Sequence, residues 1–248
     1  MERLGRNSVR LKELRARVRE RRPGEVVVDG RRLVSDLVSW SVPLLELYVA
    51  AGSDHDPAVI AAALGVWQVE ASVFEGLAPT RHPQGVLAVV PEPTSRRWPA
   101  SSGVAVFLEG LQDPGNLGAI VRSAAALGAA AVLLSEGCAD PFHPAAVRGS
   151  AGSVFRVALE RGSAVVEAAA RVRAKGGSAW AADPSGSPLA GWRPRRPALL
   201  LLGAEGAGLS AAATQAVEGR VAIPLDRDVE SLNVAVAAGI LLQHLRGT

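Results

Sequence analysis

The feature that most constrains this sequence is an alternation of short apolar runs with segments of helical periodicity. After residue 103 the apolar runs read VAVFLEG, AAVLLS, SVFRVAL, SAWAA, LLLL and RVAIPL. Most of them are apolar on both faces, which is typical of parallel strands covered by helices on either side. The alternation therefore predicts an α/β fold with a mostly parallel sheet. The helices predicted between the runs cover Asn116–Leu127, Pro144–Arg148, Ala164–Ala174 and Leu232–Leu245, with a short one after Ser210.

A second, shorter alternation precedes this region. Between Val26 and Val90 the segments VVV, RLVSDLVSW, LELYVAA, PAVIAAALG, VWQV, SVFEGLA and GVLAVV indicate a small α/β domain. The stretch PEPTSRRWPASSG that follows contains three prolines and no periodicity, as linkers do. We predict four parts: a basic N-terminal helix over residues 1–22, a small α/β domain over 23–91, a linker over 92–103 and a larger α/β domain over 104–248.

Positive charge is concentrated at the N-terminal end. Residues 1–32 hold eleven basic and five acidic residues, a net charge of +6, whereas the whole chain carries +3. Asn7 or Ser8 can cap a helix that ends before Pro23. Such a basic helix suits the phosphates of a nucleic acid, and it equally suits an ordinary solvated face. The candidate phosphate-binding residues are Arg15, Arg17, Arg19 and Arg22, together with Arg148 farther along the chain.

Several classes of function are excluded by what the sequence lacks. Cys138 is the single cysteine, which rules out an intramolecular disulfide and a cysteine-based zinc site and favours a reducing compartment. The four histidines are scattered without ligand spacing, so we predict no metal site. Neither a phosphate-binding P-loop nor a G-x-S-x-G nucleophile motif is present. Because no apolar run approaches the roughly 20 residues of a membrane span, and no signal-peptide core follows the basic N-terminus, we expect a cytoplasmic protein without membrane contact.

Three clusters rich in glycine and polar residues follow strand-like runs. They are EGLQDPGNLGAIVR at 109–122, GAEGAGLS at 203–210 and IPLDRDVESLNV at 223–234. The second departs from the G-x-G-x-x-G spacing, which favours a nucleoside site other than a dinucleotide fold. Glu205 stands in a glycine turn that has no structural need for an acid, and Arg122 is placed to reach the crevice at the strand ends. Ser231 and Asn233 open the last helix, and each alone is explained equally well as a helix cap.

Taken together, in this order and spacing, the three clusters resemble the SpoU, or TrmH, family of RNA ribose 2′-O-methyltransferases in the SPOUT superfamily. The first resembles the family motif N-x-G-x-I-x-R, the second L-G-x-E-G-x-G-L and the third I-P followed by S-L-N-V. The matching residues are Asn116, Gly118, Ile120 and Arg122, then Leu202 to Leu209, then Ile223 to Leu225 with Ser231 to Val234.

The N-terminal half is similar, less sharply, to the substrate-binding domain of the same family. The similarity lies in Val28 to Val34, in LELYVAA and in Thr80 to Val86, with Asp29 where the family pattern has glutamate. The basic first helix resembles the branches that act on ribosomal RNA rather than the tRNA branch, which lacks this domain.

The resemblance implies a fold, a cofactor and a set of partners. It implies a deep trefoil knot in the C-terminal domain, a homodimer formed through that domain, and S-adenosylmethionine held bent in the knot loops. By position in the motifs, the cofactor contacts would come from Leu202, Gly203, Ile223, Leu225 and Leu232. Gly203 would let the backbone approach the cofactor closely.

The resemblance also implies the reaction, which is transfer of a methyl group to a ribose 2′-hydroxyl of structured RNA, 23S ribosomal RNA in particular. Arg122 would polarise that hydroxyl or clamp the adjacent phosphate, since arginine resists deprotonation and makes a poor base. The residues that orient the reactants would be Asn116, Glu205, Ser231 and Asn233.

Three alternatives stay open at this point. The substrate can be transfer RNA instead of ribosomal RNA. The chain can be a ribosomal-RNA-binding assembly factor with a decayed cofactor site, although all three motifs are intact. A base methyltransferase of the same superfamily would share the knot, but it should lack S-L-N and the pair of Asn116 and Arg122.

Overall fold

The computed structural model describes residues 1–79, 83–227 and 229–246. Its contacts divide the chain into two compact units, Met1–Thr94 and Ser95–Thr248. The strands among the described residues are β1 (Glu2–Leu4), β2 (Glu25–Asp29), β3 (Glu46–Ala50), β4 (Val66–Val69), β5 (Val86–Pro91), β6 (Val104–Glu109), β7 (Ala131–Leu134), β8 (Leu159–Arg161), β9 (Ser178–Pro188), β10 (Ala198–Gly203) and β11 (Gly219–Ala222). The α-helices are α1 (Val9–Arg19), α2 (Arg31–Ser39), α3 (Pro57–Ala62), α4 (Ala71–Glu75), α5 (Pro114–Ala126), α6 (Pro144–Gly149), α7 (Val165–Arg173), α8 (Ala211–Gln215) and α9 (Val234–Arg246).

The first unit contains a five-stranded sheet in the order β1-β4-β3-β5-β2. Strand β5 runs antiparallel to both β2 and β3, whereas β4 pairs in parallel with β1 and β3. Helix α1 lies on this sheet through Leu11 and Leu14, which are fully buried in a core that includes Tyr48 and Phe74. Three residues of the segment used for the N-terminal resemblance, Thr80, Arg81 and His82, lie outside the described residues.

The basic N-terminal segment is not one helix over residues 1–22. Residues Glu2–Leu4 form β1, which pairs with β4, and the helix begins only at Val9 and ends at Arg19. Burial of Leu4 explains the strand, because its side chain joins the core of the sheet. Ser8 occupies the N-cap position of α1, but its side chain makes no capping hydrogen bond.

The second unit contains a six-stranded sheet in the order β11-β9-β10-β6-β7-β8, and all of its pairings are parallel. Its central strands are buried along almost their whole length, as the apolar runs predict. The α/β class and the mostly parallel sheet are therefore confirmed. Within the described residues, no helix combines the length and the apolar character that a membrane span requires.

Two predicted features differ in detail. The run SVFRVAL does not form a strand from its start, because Ser153–Phe155 make a 3-10 turn after the left-handed Gly152, and β8 begins only at Leu159. The segment predicted as a linker contains Trp98 and Ala100, which are 4% and 0% exposed in the core of the second unit. Arg171 and Glu160 hold this segment, since an Arg171 guanidinium N–H donates to the Trp98 carbonyl (2.7 Å) and the Trp98 amide donates to Glu160 (2.6 Å).

Candidate active site

The sheet of the second unit brings the three glycine-rich clusters to one edge. Strand β6 ends at Glu109 directly opposite Gly203, the last residue of β10. Strand β11 ends at Ala222, just before the third cluster. Because these strands are parallel, the loops that follow them emerge on the same side, where α/β proteins bind their ligands.

Asn116, Glu205 and Asn233, one residue from each cluster, form a hydrogen-bonded network. Glu205 Oε1 accepts from Asn233 Nδ2 (2.9 Å), from Asn116 Nδ2 (3.2 Å) and from the Val234 amide (3.4 Å). Asn233 Nδ2 also donates to Asn116 Oδ1 (3.0 Å). The three residues lie 89 and 28 positions apart in the sequence, so the network exists only in the folded chain.

The helix ends that carry two of these residues are fixed by capping. Asp113 accepts from the Asn116 amide (2.6 Å) and caps α5, with Pro114 as its first residue. Asn233 Oδ1 accepts from the amides of Ala235 and Val236 at the start of α9. This use of the carbonyl directs the amide nitrogen of Asn233 towards Glu205.

Glu109 anchors the loop of the second cluster, a role that the sequence reading missed. Its two carboxylate oxygens accept from the Ser210 amide and the Ser210 hydroxyl, both at 2.8 Å. Ser210 in turn caps α8 by accepting from the Ala213 amide. The only available signal was an acid at the end of an apolar strand, where a charge has no packing role.

The fold of its own loop already requires glycine at position 203. A Cβ at Gly203 would lie 2.2 Å from the carbonyl carbon of Gly208 and 2.6 Å from the Leu209 nitrogen. The close approach is therefore between two parts of the same loop, which folds back on the end of β10. Gly206 and Gly208 adopt φ values of +83° and +66°, which glycine tolerates best.

A cavity of about 780 Å³ lies beside this network. All five predicted cofactor residues line it, with Glu205, Ser231 and Asn233 from the predicted catalytic set; the five are Leu202, Gly203, Ile223, Leu225 and Leu232. Apolar walls with a few polar groups suit an adenosine, and the volume lies within the range of about 300–1,000 Å³ typical of ligand sites.

Asp183 adds a charge to the wall of this cavity and was not identified from the sequence. Hydrogen bonds from the Ser185 side chain and backbone lower the pKa of Asp183, and Arg220 acts in the same direction. Both carboxylate oxygens are engaged, because Oδ1 accepts from Ser185 and Oδ2 pairs with Arg220 (3.3 Å). Asp183 therefore fixes its part of the cavity wall.

Arg122 is not brought into the network. It is exposed on α5, lines neither the 780 Å³ cavity nor a neighbouring one, and makes no hydrogen bond or ion pair within the described part of the chain. It follows Gly118 by one helical turn, and a Cβ at Gly118 would lie 2.5 Å from the Ala146 carbonyl of α6. Arg148 on α6 is likewise exposed. Within the part of the chain that the structure describes, neither guanidinium is held by another side chain, so both are available to an anion.

The arginines in and after the basic helix α1 fall into two sets, one held in ion pairs and one exposed to solvent. Arg17, predicted to bind RNA, has a side chain only 9% exposed and pairs with Glu46 (2.9 Å) and Glu25 (3.3 Å). This placement corrects the prediction, because a guanidinium held by two carboxylates is not available to phosphates. Arg15 is half-buried, and Arg19 and Arg22 are exposed.

The structure also gives local roles to His143 and Cys138. His143 caps α6, since its Nδ1 accepts from the Ala145 amide (3.2 Å). The Cys138 thiol donates to the Leu108 carbonyl (3.3 Å). Among the residues that the structure describes, no group of three or more histidine, cysteine or acidic side chains is arranged to hold a metal ion.

The family models and relatives that match this chain are those of RNA methyltransferases, in agreement with the site described above. The model of the SpoU rRNA Methylase family matches residues 103–243, and that of the MRM3-like substrate binding domain matches residues 8–88. A protein of Synechocystis described as an uncharacterized tRNA/rRNA methyltransferase is 31% identical over 88% of this chain and 86% of its own length. The 23S rRNA (guanosine(2553)-2′-O)-methyltransferase RlmP of Bacillus subtilis is 29% identical over 95% of this chain and 94% of its own.

A solved structure extends the similarity to the whole fold. The SpoU methyltransferase AviRb of Streptomyces viridochromogenes, crystallised with AdoMet, has a TM-score of 0.84 at 27% identity and covers 97% of this chain and 98% of its own. The parallel sheet and the loop cavity at its edge define an RNA methyltransferase of the SPOUT class. The chain belongs to the SpoU rRNA methylase family.

Proposed function

We propose that this enzyme transfers a methyl group from S-adenosylmethionine to a ribose 2′-hydroxyl of ribosomal RNA. The observation that carries the proposal is the network of Asn116, Glu205 and Asn233 beside a cavity of nucleoside size. The family and the enzymatic class support the reaction, and the named activity of RlmP supports 23S rRNA as the substrate.

The chain's own residues position the reactants rather than form covalent bonds. When bound, S-adenosylmethionine supplies an electrophilic methyl group and its own leaving group, a thioether. The 2′-oxygen would bond to that methyl carbon as the carbon–sulfur bond breaks, and the hydroxyl proton would pass to water. Leu202, Ile223, Leu225 and Leu232 would hold the adenosine and exclude water from it, as apolar cavity walls do.

The polar residues would act on the ribose and on the RNA phosphates. Ser231, Asn116 and Asn233 offer hydroxyl and amide groups at the cavity wall or beside it, and the second carboxylate oxygen of Glu205 is free of partners within the described residues. Arg122 would stabilise the developing alkoxide or clamp an adjacent phosphate, because its guanidinium stays charged.

The test is incubation of the purified protein with methyl-labelled S-adenosylmethionine and, separately, unmodified 23S rRNA, 16S rRNA and tRNA. We expect label on 23S rRNA at one nucleotide whose linkage resists alkaline cleavage, because a methylated 2′-oxygen cannot attack its phosphate. Label on tRNA would support the transfer-RNA alternative, and a methylated position that alkali still cleaves would indicate base methylation. Cofactor binding with no labelling of any RNA would contradict the proposal and favour the assembly-factor alternative.

Three further features belong to the proposal. A homodimer through the second unit is supported by two exposed apolar side chains one turn apart on α9, Val236 (51% exposed) and Ile240 (38%).

A deep trefoil knot is supported by family membership and by a parallel sheet in which sequence-distant strands, β10 and β6, are neighbours. An rRNA substrate also supports a cytoplasmic location.

A further inference from the structure

A second cavity, of about 470 Å³, adjoins the cofactor cavity. The two cavities share Ala204, Glu205 and Gly208 in the turn after β10. The remaining wall comes from the loop between β6 and α5, which includes Gly110 and Gln112. The volume lies within the range of about 300–1,000 Å³ typical of small-ligand sites.

Part of the wall of the second cavity is formed by small residues. Gly110, Ala204, Ala207 and Gly208 contribute no side chain longer than a methyl group. Side chains this small leave room for a planar ring. Purines and pyrimidines have this shape.

Most polar groups of the cavity are already occupied, although Glu205 keeps one carboxylate oxygen without a partner within the described residues. Both carboxylate oxygens of Glu109 accept from Ser210, and Asp113 accepts from the Asn116 amide. The side chain of Asn116 belongs to the network with Glu205. Gln112 is different, because it is exposed and its amide makes no hydrogen bond within the described residues. It offers both donors and an acceptor, the combination that reads a base edge.

The position of the cavity matches what the proposed reaction requires. The acceptor ribose has to lie within bonding distance of the transferred methyl group, so the target nucleotide must enter next to the cofactor cavity. Enzymes that act on one nucleotide of an RNA commonly unstack it and read its exposed base edge. A nucleotide whose ribose lay at the shared Glu205 turn would have its base next to the 470 Å³ cavity.

We propose that this cavity holds the base of the unstacked target nucleotide and that Gln112 is its specificity-determining residue. The inference rests on the proposed function and adds to it the site and the residue that select the nucleotide. Gln112 acts on the base and not on the cofactor, so its loss changes the choice of RNA and leaves S-adenosylmethionine binding intact.

The test compares Gln112→Ala and Gln112→Glu with the unaltered enzyme. The substrates are the transcript that the unaltered enzyme methylates and three transcripts that differ only in the base of the target nucleotide. Gln215→Ala is the matched control, since Gln215 is an exposed glutamine that lines neither cavity. Methylation gives kcat/KM for each transcript, and calorimetry gives the Kd for S-adenosylmethionine.

We expect Gln112→Ala to lower kcat/KM on the native transcript by about 10- to 100-fold, the loss of a paired base contact. The four transcripts should then differ by less than about threefold, with the cofactor Kd unchanged. Gln112→Glu, which loses the amide donor, should shift the preference towards bases that present a donor. Gln215→Ala should behave as the unaltered enzyme.

Retained discrimination by Gln112→Ala would overturn the proposal, as would equal methylation of all four transcripts by the unaltered enzyme. A failure of the proposed function itself is seen earlier and separately, because the unaltered enzyme would then bind S-adenosylmethionine and methylate no RNA. That result would remove this proposal together with the function on which it rests.

Discussion

Asn233 serves the helix and the site with opposite ends of one side chain. Its carbonyl caps α9 and its amide nitrogen donates to Glu205 and Asn116. The sequence presents a cap and a site residue as alternatives, but an amide has an acceptor end and a donor end and can fill both roles. An aspartate would cap the helix equally well, yet it would place a second negative charge against Glu205.

Arg122→Ala is expected to abolish methyl transfer while the Kd for S-adenosylmethionine changes by no more than a few fold. The reason is that Arg122 is exposed and lines no part of the cofactor cavity. Labelling assays and calorimetry measure the two quantities. Arg122→Lys, which keeps the charge and loses the planar fork, should retain only part of the activity. Loss of cofactor binding in Arg122→Ala would contradict a role on the RNA.

The burial of Tyr48 leads to a prediction about the stability of the first unit at high pH. It is the only tyrosine of the chain and is fully buried. Burial raises the pKa of Tyr48 above its usual value, and so does the Glu46 carboxylate, which accepts a hydrogen bond from the Tyr48 hydroxyl. In the unfolded chain the tyrosine hydroxyl ionises near pH 10, whereas in the folded chain Tyr48 keeps its proton at that pH. The free energy of unfolding should therefore fall as pH rises above about 10.

Denaturant unfolding between pH 8 and 11 measures this dependence, with tyrosinate absorbance recorded in parallel. Tyr48→Phe is the control and should lose the part of the slope above pH 10 that comes from this residue. Tyrosinate absorbance that rises near pH 10 in the folded protein would contradict the expectation.

At the scale of elements, α1 shows that a basic helix need not present all its charges to RNA. Leu11 and Leu14 face the core, and Arg17 lies at the edge of that face, where Glu46 and Glu25 neutralise it. Arg15 and Arg19 leave the helix on another side, and Arg22 follows its end. The helix is thereby fixed to its sheet on one side and free on the other.

The two sides of α1 should respond differently to substitution. Replacing Arg15, Arg19 and Arg22 by glutamine should weaken RNA binding and reduce its salt dependence by about one in the log–log slope for each lost phosphate contact. Arg17→Gln should instead lower the free energy of unfolding by about 1–3 kcal/mol, because Glu25 loses its ion pair with Arg17 and Glu46 keeps only Arg10 and the Tyr48 hydroxyl. Binding titrations at several salt concentrations and urea unfolding separate the effects. An unchanged salt slope in the triple variant would show that α1 is only a solvated face.

The segment before β6, residues 95–103, packs in the core of the second unit and contributes to its stability. Trp98 is buried there and is held through Glu160 and Arg171. Burial raises the pKa of Glu160, but the hydrogen bonds from Arg171 and Trp98 outweigh it, and the net pKa is lowered. The carboxylate that holds the segment is therefore ionised at neutral pH.

A fragment of residues 95–248 is accordingly expected to be more stable than one of residues 104–248. Loss of a buried tryptophan costs about 3–5 kcal/mol. Thermal unfolding followed by circular dichroism compares the Tm of the two fragments. Equal Tm values would mean that the segment from Ser95 contributes nothing to the second unit.

At the scale of the whole molecule, the chain is two units with separate cores, and family models match each of them. The exposed apolar side chains of α9 belong to the second unit. A contiguous exposed apolar patch often marks a surface that another chain covers.

Sedimentation velocity is expected to show a particle of twice the chain mass. Ile240→Glu should yield the monomer, because a charge would be buried against the second copy. Gln215→Glu, which adds the same charge at an exposed position of α8, should remain dimeric. A monomeric unaltered protein would contradict the proposal of a homodimer.

The amino-acid sequence by itself determined the α/β class, the parallel sheet of the second unit and the family, because apolar runs and motif spacing are local properties of the chain. The resemblance of its motifs also grouped Leu202, Ile223 and Leu225, and all three line one cavity in the folded chain. Only the tertiary structure decided what Arg17, Gly203 and Trp98 do. Each depends on a contact with a residue distant in sequence or on the far side of a turn, and no local pattern records which charge or backbone atom will lie there.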